Sequence, residues 1–137
     1  MNMQLVPYLS FDGNAEEVLN FYTNVLGGEI LMISRYGESP MPCNDDEKQY
    51  IMHARLAFHN NIIMLCDKPK HFPHSTEGNI ALSIGMDNID EMEKTFQDMA
   101  TGGTVTMPLA DQFWGARFGM LKDKFGVNWM FNCELKK

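Results

Sequence analysis

Two stretches of the chain carry apolar residues at helical spacing, and most of the rest alternates. Ala15, Val18, Leu19, Tyr22 and Leu26 recur at intervals of three and four, as do Ile89, Met92, Phe96, Met99 and Ala100, which predicts two helices with one greasy face each. Each begins with an Asn three residues before a Glu, Asn14 with Glu17 and Asn88 with Glu91, a pairing that satisfies the free N–H groups of a helix start. Each ends at a glycine pair, Gly27-Gly28 and Gly102-Gly103, suited to the left-handed closing residue. Extended segments precede the helices at 4–11 and 79–86, and three more follow each, at 29–36, 50–58 and 62–67, then at 104–109, 116–122 and 127–133. The order strand, helix, strand, strand, strand therefore occurs twice. The helices repeat at an offset of about 75 residues and the closing strands at about 65; the difference sits in 37–48, GESPMPCNDDEK, a solvated connection or a lid over a site. The expected fold is α+β, a single domain over 1–137 with module one at about 1–68 and module two at about 78–137, joined by a loop.

Alternation sorts the strand residues by face. A turn at Lys124-Phe125 sets Arg117, Gly119 and Leu121 beside Asn132, Met130 and Asn128. The apolar set Ala116, Phe118, Met120, Cys133, Phe131 and Trp129 then goes under the helix. A turn at Asn60-Asn61 gives Met52, Ala54, Leu56, Phe58, Ile63 and Leu65 on the helix side and His53, Arg55, Ala57, Met64 and Cys66 on the other. Asn79, Ala81 and Ser83 also fall away from the helix. The face opposite the helices is thus semi-polar and rich in small residues, and a curved sheet with such a concave face makes a cup for a small ligand.

Composition narrows the partners. The 137 residues carry a formal net charge of −7 with no run of Lys or Arg, which argues against nucleic acid and anionic membranes. Cys43, Cys66 and Cys133 are far apart and in no CxxC spacing, so neither a disulfide framework nor a structural zinc site is signalled. No segment reaches the roughly 20 apolar residues that span a bilayer, and the start MNMQLVPYL lacks a signal-peptide pattern. A cytoplasmic protein is expected.

The segments PYLSFDGNAEEVLNFYTNVLGGEI, IMHARL, GNIALSI, GGTVTMPL and FWGARFGMLKDKFGVNWMFNC resemble the PhnB-like branch of the vicinal oxygen chelate superfamily, which includes glyoxalase I, bleomycin-resistance proteins and extradiol dioxygenases. The likeness covers essentially the whole chain. It implies two βαβββ modules forming an open curved-sheet cup with helices on the convex face, usually in a homodimer. Members are often labelled 3-demethylubiquinone-9 3-methyltransferase. Methyl transfer is the less favoured reading, because the chain has no glycine-rich strand-to-helix turn for an adenosyl cofactor. Metal-dependent members hold a divalent ion through His and Glu at places that fall here on Pro7, about Met64, Asn79 and Met130. None is a usual ligand for zinc, magnesium or manganese, so neither metal nor cofactor is expected.

The stretch 113–129, FWGARFGMLKDKFGVNW, lodges one arginine among aromatics. On the cup face beside Asn132, Arg117 would hold a carboxylate; alternatively it pairs with an acid of its own chain. Met64 and Met130 would shape an apolar pocket with Asn79, Arg55 and Asn132 as polar contacts, and Trp114 is a rim stack or a dimer contact. His53 as a base and Cys66 as a thiolate beside Arg55 are the catalytic candidates, each with a structural alternative. His71 and His74 in HFPH are weak metal candidates, since Pro73 denies them a shared helix face. Expected overall is a metal-free binder of a small, partly apolar, anionic molecule, with an enzyme of the glyoxalase or dioxygenase type as the alternative.

Overall fold

The computed structural model describes residues 3–40, 42–68 and 79–135. The chain separates into two compact units, Met1–His74 and Ser75–Lys137, each holding one copy of the repeated pattern. In the first, β1 (Tyr8–Phe11), α1 (Ala15–Leu26), β2 (Glu29–Arg35), β3 (Ile51–Phe58) and β4 (Asn61–Asp67) give a sheet of order β1-β4-β3-β2. In the second, β5 (Leu82–Met86), α2 (Ile89–Ala100), β6 (Thr104–Asp111), β7 (Ala116–Lys122) and β8 (Asn128–Glu134) give β5-β8-β7-β6. The helix carries the chain from one sheet edge to the other, and two antiparallel pairings bring it back until the last strand lies parallel to the first. The architecture is α+β, two βαβββ modules.

Helix α1 buries Ala15, Val18, Leu19, Tyr22 and Leu26, the set its periodicity predicts. They pack with Phe11, Ala54, Leu56, Ile63 and Leu65, none more than 4% exposed. Helix α2 buries Met92, Phe96 and Met99 against a layer containing Leu121, Trp129, Phe131 and Cys133, and Phe96 meets Phe131 edge-on at 5.4 Å. Each large side chain so buried contributes about 1.5–3 kcal/mol.

The two helix starts are satisfied differently. Asn88 caps α2 as expected, its Oδ1 accepting the Glu91 N–H at 2.9 Å. Asn14 makes no side-chain cap. Instead Oδ1 of Asp67, at the end of β4, accepts the Ala15 N–H at 2.9 Å, and its Oδ2 accepts the Ile51 N–H at 2.9 Å. The Tyr36 hydroxyl donates to the Asp67 carbonyl at 2.9 Å. At the other ends Gly27 and Gly102 have φ of 64° and 76°, the left-handed conformation expected of them. Their partners serve close approach: a Cβ on Gly28 would lie 2.8 Å from the Ala57 carbonyl oxygen, and one on Gly103 would meet the Lys122 carbonyl.

Both central hairpins depart from the expected register. The β3–β4 turn is His59-Asn60, with φ of 45° and 67°, the two left-handed residues of a type I′ turn. Arg55 therefore faces Met64 rather than Cys66. The shift is two residues, so side chains keep their faces. A bulge between Ser34 and Arg35 buries Ile51, leaving Met52 half-buried. In the β7–β8 hairpin the loop is one residue longer than a Lys124-Phe125 turn. Gly126, with φ of 90°, donates to the Asp123 carbonyl at 3.0 Å, while the Asp123 N–H donates to Val127 at 2.9 Å. A one-residue slip swaps every face on β7: Arg117 pairs with Cys133 and Gly119 with Phe131, while Phe118 pairs with Asn132 and Met120 with Met130. Buried Asp123 holds this turn, accepting the N–H groups of Phe125 and Val127 and the Trp129 Nε1–H at 2.9 to 3.0 Å.

The 37–48 segment contains two short 3-10 turns, Tyr36–Glu38 and Asp45–Glu47. The Gly37 N–H donates to Lys48 at 2.9 Å, so its base continues the β2–β3 pairing. Arg35 anchors it to α1, giving two bonds to the Glu16 carboxylate at 2.8 and 3.1 Å and one to the Gln49 carbonyl at 2.8 Å. The Arg35 hydrogen bond holds the Glu16 carboxyl below its ordinary pKa.

Asp67→Ala should cost about 3 kcal/mol or more, since it leaves two buried backbone donors unpaired, whereas Asn14→Ala should change stability by less than about 0.5 kcal/mol. Urea melts of both variants compare them; a larger loss in Asn14→Ala would refute the assignment of the α1 cap.

Candidate functional site

The sheet face opposite α1 carries two transverse rows. Tyr8 pairs with Met64, Met64 with Arg55 and Arg55 with Met32, from β1 through β4 and β3 to β2. One step along, Ser10 pairs with Cys66 and Ser34 with His53, and strand alternation sets Cys66 beside His53. These side chains share the face because Leu9, Ala54, Leu65 and Ile33, their chain neighbours, point the other way.

Arg55 stands at the centre of the first row, between two thioethers. It is half-buried, and its Nε is buried without a hydrogen-bond partner. The chain has three arginines; Arg35 and Arg117 each pair with carboxylates, and Arg55 pairs with none among the described residues. A buried unpaired N–H costs roughly 1–3 kcal/mol, which a bound acceptor would return.

In the second row the Ser10 Oγ lies 3.6 Å from the Cys66 Sγ. The Tyr8 hydroxyl lies 2.9 Å from His53 Nδ1, with ring centroids 5.5 Å apart. Since β4 separates β1 from β3, the Tyr8 ring crosses β4 to reach His53. Burial, and then the charge and hydrogen bonding of Cys66, raise the Tyr8 phenol above its ordinary pKa. Burial likewise raises Tyr36, with Cys66 the next contributor.

Arg117 does not belong to such a face. On the helix side of β7, its Nε donates to Glu93 of α2 at 2.6 Å and its Nη1 to Asp111 of β6 at 3.1 Å. These two bonds, Glu93 first, raise its pKa. The own-chain pairing is the arrangement found, and the extra residue of the 123–127 turn is the reason. Gly119 shares this helix-side face and gives β6 room: a Cβ there would lie 2.9 Å from Leu109 Cδ2.

The opposite face of the second unit carries Met130 with Ser83 and Met120, and Asn132 with Gly85 and Phe118. Met130 and Asn132 thus lie where expected, while Asn79 is exposed and precedes β5. Trp114 is 52% exposed in the β6–β7 turn, edge-on to Phe113 at 5.1 Å and to Phe118 at 5.8 Å. The HFPH pair, His71 and His74, lies outside the described residues. Sequence reasoning missed Tyr8, although Tyr8 and Ser10 alternate with Leu9 and Phe11 in the first strand and share parity.

Comparison with known proteins agrees with this architecture. Residues 3–131 match the family model described as 3-demethylubiquinone-9 3-methyltransferase. Protein YjdN of Escherichia coli K12 is 31% identical over 140 residues, covering 95% of each chain. The crystal structure of PA1353 from Pseudomonas aeruginosa has a TM-score of 0.91 at 41% identity, covering 98% of this chain and all of that one. The PhnB protein from Bacillus cereus has a TM-score of 0.77 at 28% identity with the same coverage. A glyoxylase/bleomycin resistance protein/dioxygenase domain from Frankia, 13% identical with a TM-score of 0.67 and 98% coverage of both chains, shares the fold. The chain belongs to the 3-demethylubiquinone-9 3-methyltransferase family, with a PhnB-like, glyoxalase-type fold.

Proposed function

We propose that the protein binds a small, partly apolar anion on the first unit's sheet face opposite α1, with Arg55 as the charge anchor. The carrying observation is that Arg55 alone of the three arginines has no carboxylate partner among the described residues, and keeps a buried Nε–H unpaired. A guanidinium matches a carboxylate with two parallel bonds. Met32 and Met64 on either side supply adaptable apolar walls.

The reading is metal-free because the donors do not fit. The Pro7 carbonyl already accepts the Met64 N–H at 2.9 Å. Thioethers such as Met64 and Met130 are soft ligands, unsuited to a hard divalent ion. Among the described residues no three His, Cys, Asp or Glu side chains converge. Methyl transfer is the weaker reading: Tyr50 fills the space over the β1–α1 turn, its hydroxyl 2.8 Å from where a Gly13 Cβ would lie. In the same reading the protein is a cytoplasmic homodimer, and exposed Phe113 and Trp114 supply the contact.

Calorimetric titration with 2-naphthoate tests the anchor. Arg55→Ala should weaken binding by about 10- to 100-fold, the value of a charge-assisted bond, while Arg117→Ala should leave it within about twofold, its charge being already paired. Full affinity in Arg55→Ala would defeat the proposal. Elemental analysis after dialysis should find no stoichiometric zinc, manganese, nickel or iron; one tightly held ion per chain would defeat the metal-free reading. Light scattering should report a dimer that Trp114→Ala weakens, and a wild-type monomer at micromolar concentration would remove the assembly.

A further inference from the structure

Four chemically active side chains meet in the second row of the first unit's sheet face opposite α1: Ser10, Cys66, His53 and, reaching across β4, Tyr8. Holding a ligand requires none of them to be linked. The Tyr8 hydroxyl touches His53 Nδ1 at 2.9 Å, and because β4 lies between their strands the Tyr8 side chain crosses β4 toward the row that holds Cys66. Arg55 stands one row away on the same face, diagonal to Cys66, a separation of about 7–8 Å in such sheets. Cys66 is half-buried rather than sealed.

We propose that Cys66 is a nucleophile served by a proton relay through Tyr8 to His53, and that it captures small anionic electrophiles held beside it by Arg55. This deepens the binding reading above and rests on Arg55 as the anion anchor. In the relay the thiol proton passes to the Tyr8 oxygen as the Tyr8 hydroxyl proton passes to His53 Nδ1. The products are a thiolate, a neutral phenol and an imidazolium. The raised Tyr8 pKa suits this role, since a phenol that keeps its proton at neutral pH can give one and take one. The thiolate then forms an S–C bond. With an α-halo carboxylate the carbon–halogen bond breaks and halide leaves with the electron pair. With an α,β-unsaturated carboxylate the bond forms at the β-carbon and the π pair moves to the α-carbon. The proton on His53 returns through Tyr8 to that α-carbon. Neither step needs an oxidant or a reductant. Arg55 contributes by charge: it concentrates the anionic reagent.

Alkylation of the full chain by iodoacetate and, separately, by the neutral iodoacetamide tests both halves, with the rate at Cys66 followed by peptide mass mapping. Arg55→Gln should lower the iodoacetate-to-iodoacetamide rate ratio at Cys66 by roughly five- to tenfold, as expected for unit charges about 7–8 Å apart in partly wetted protein. Tyr8→Phe keeps the ring and removes only the relay hydroxyl. It should slow both reagents by roughly tenfold or more and leave their ratio unchanged, and His53→Gln should do the same. A merely structural Tyr8 would leave the rates unmoved. Wild-type rates at Cys66 in Tyr8→Phe would overturn the relay, and a ratio indifferent to Arg55→Gln would overturn the anion preference. Titrating Cys66→Ser with 2-naphthoate separates the two readings. Arg55-dependent binding that survives while alkylation ignores Tyr8 sinks the nucleophile alone. Binding that never depended on Arg55 sinks the anchor and this inference with it.

Discussion

The carboxylate of Asp67 is the contact on which the first unit depends. Its two oxygens hold the start of α1 and the start of β3, and its carbonyl receives Tyr36. The residue is 1% exposed, and a carboxylate taken out of water persists only when its acceptor capacity is filled. Filling it with backbone N–H groups from a helix and a strand locks those elements to the end of β4. Because α1 is thereby fixed against one side of the sheet, Arg55, His53 and Cys66 are left on the other.

The second unit reaches the same topology by other means. Its helix is capped locally by Asn88, and its buried carboxylate, Asp123, is spent on the β7–β8 turn and the Trp129 indole. That difference has a consequence for charge. Arg117, rotated to the helix side by the turn that Asp123 organises, is neutralised by Glu93 and Asp111. Its position near the middle of a sheet resembles that of Arg55, but the two have opposite fates.

Features set by neighbours in the chain were legible in the sequence. The five buried residues of α1 and the three of α2 follow from a period that any window of the helix repeats. The left-handed Gly27 and Gly102 follow from the cost of a Cβ there. The faces of β3 and β4 survived a misplaced turn because the error was an even number of residues. The faces of β7 did not, because Asp123-Lys124-Phe125-Gly126 closes with one residue more than a two-residue turn, and Gly126 at φ 90° was the overlooked sign. The Asp67 cap spans 52 residues of sequence, and no local pattern encodes a bond of that range. Tyr8 escaped for a related reason: its partner His53 stands two strands away.

Electrostatics at a distance and at contact pull in opposite directions in this molecule. With a net charge of −7 the chain repels anions in bulk, although salt screens that repulsion beyond about 8–10 Å. Long-range steering therefore does not assist the proposed ligand, and its association rate should show little of the enhancement that a positive cleft confers. Selectivity must arise within contact range. There Met32 and Met64 are the cross-strand neighbours of Arg55 and its Nε is already withdrawn from water, so that one opposite charge at hydrogen-bonding distance is worth more than it would be on an open surface. The same exclusion of water penalises a neutral ligand, which would cover the guanidinium and leave its buried Nε–H unpaired. An acidic protein can in this way favour an anion through a single arginine, provided that its other arginines are already paired.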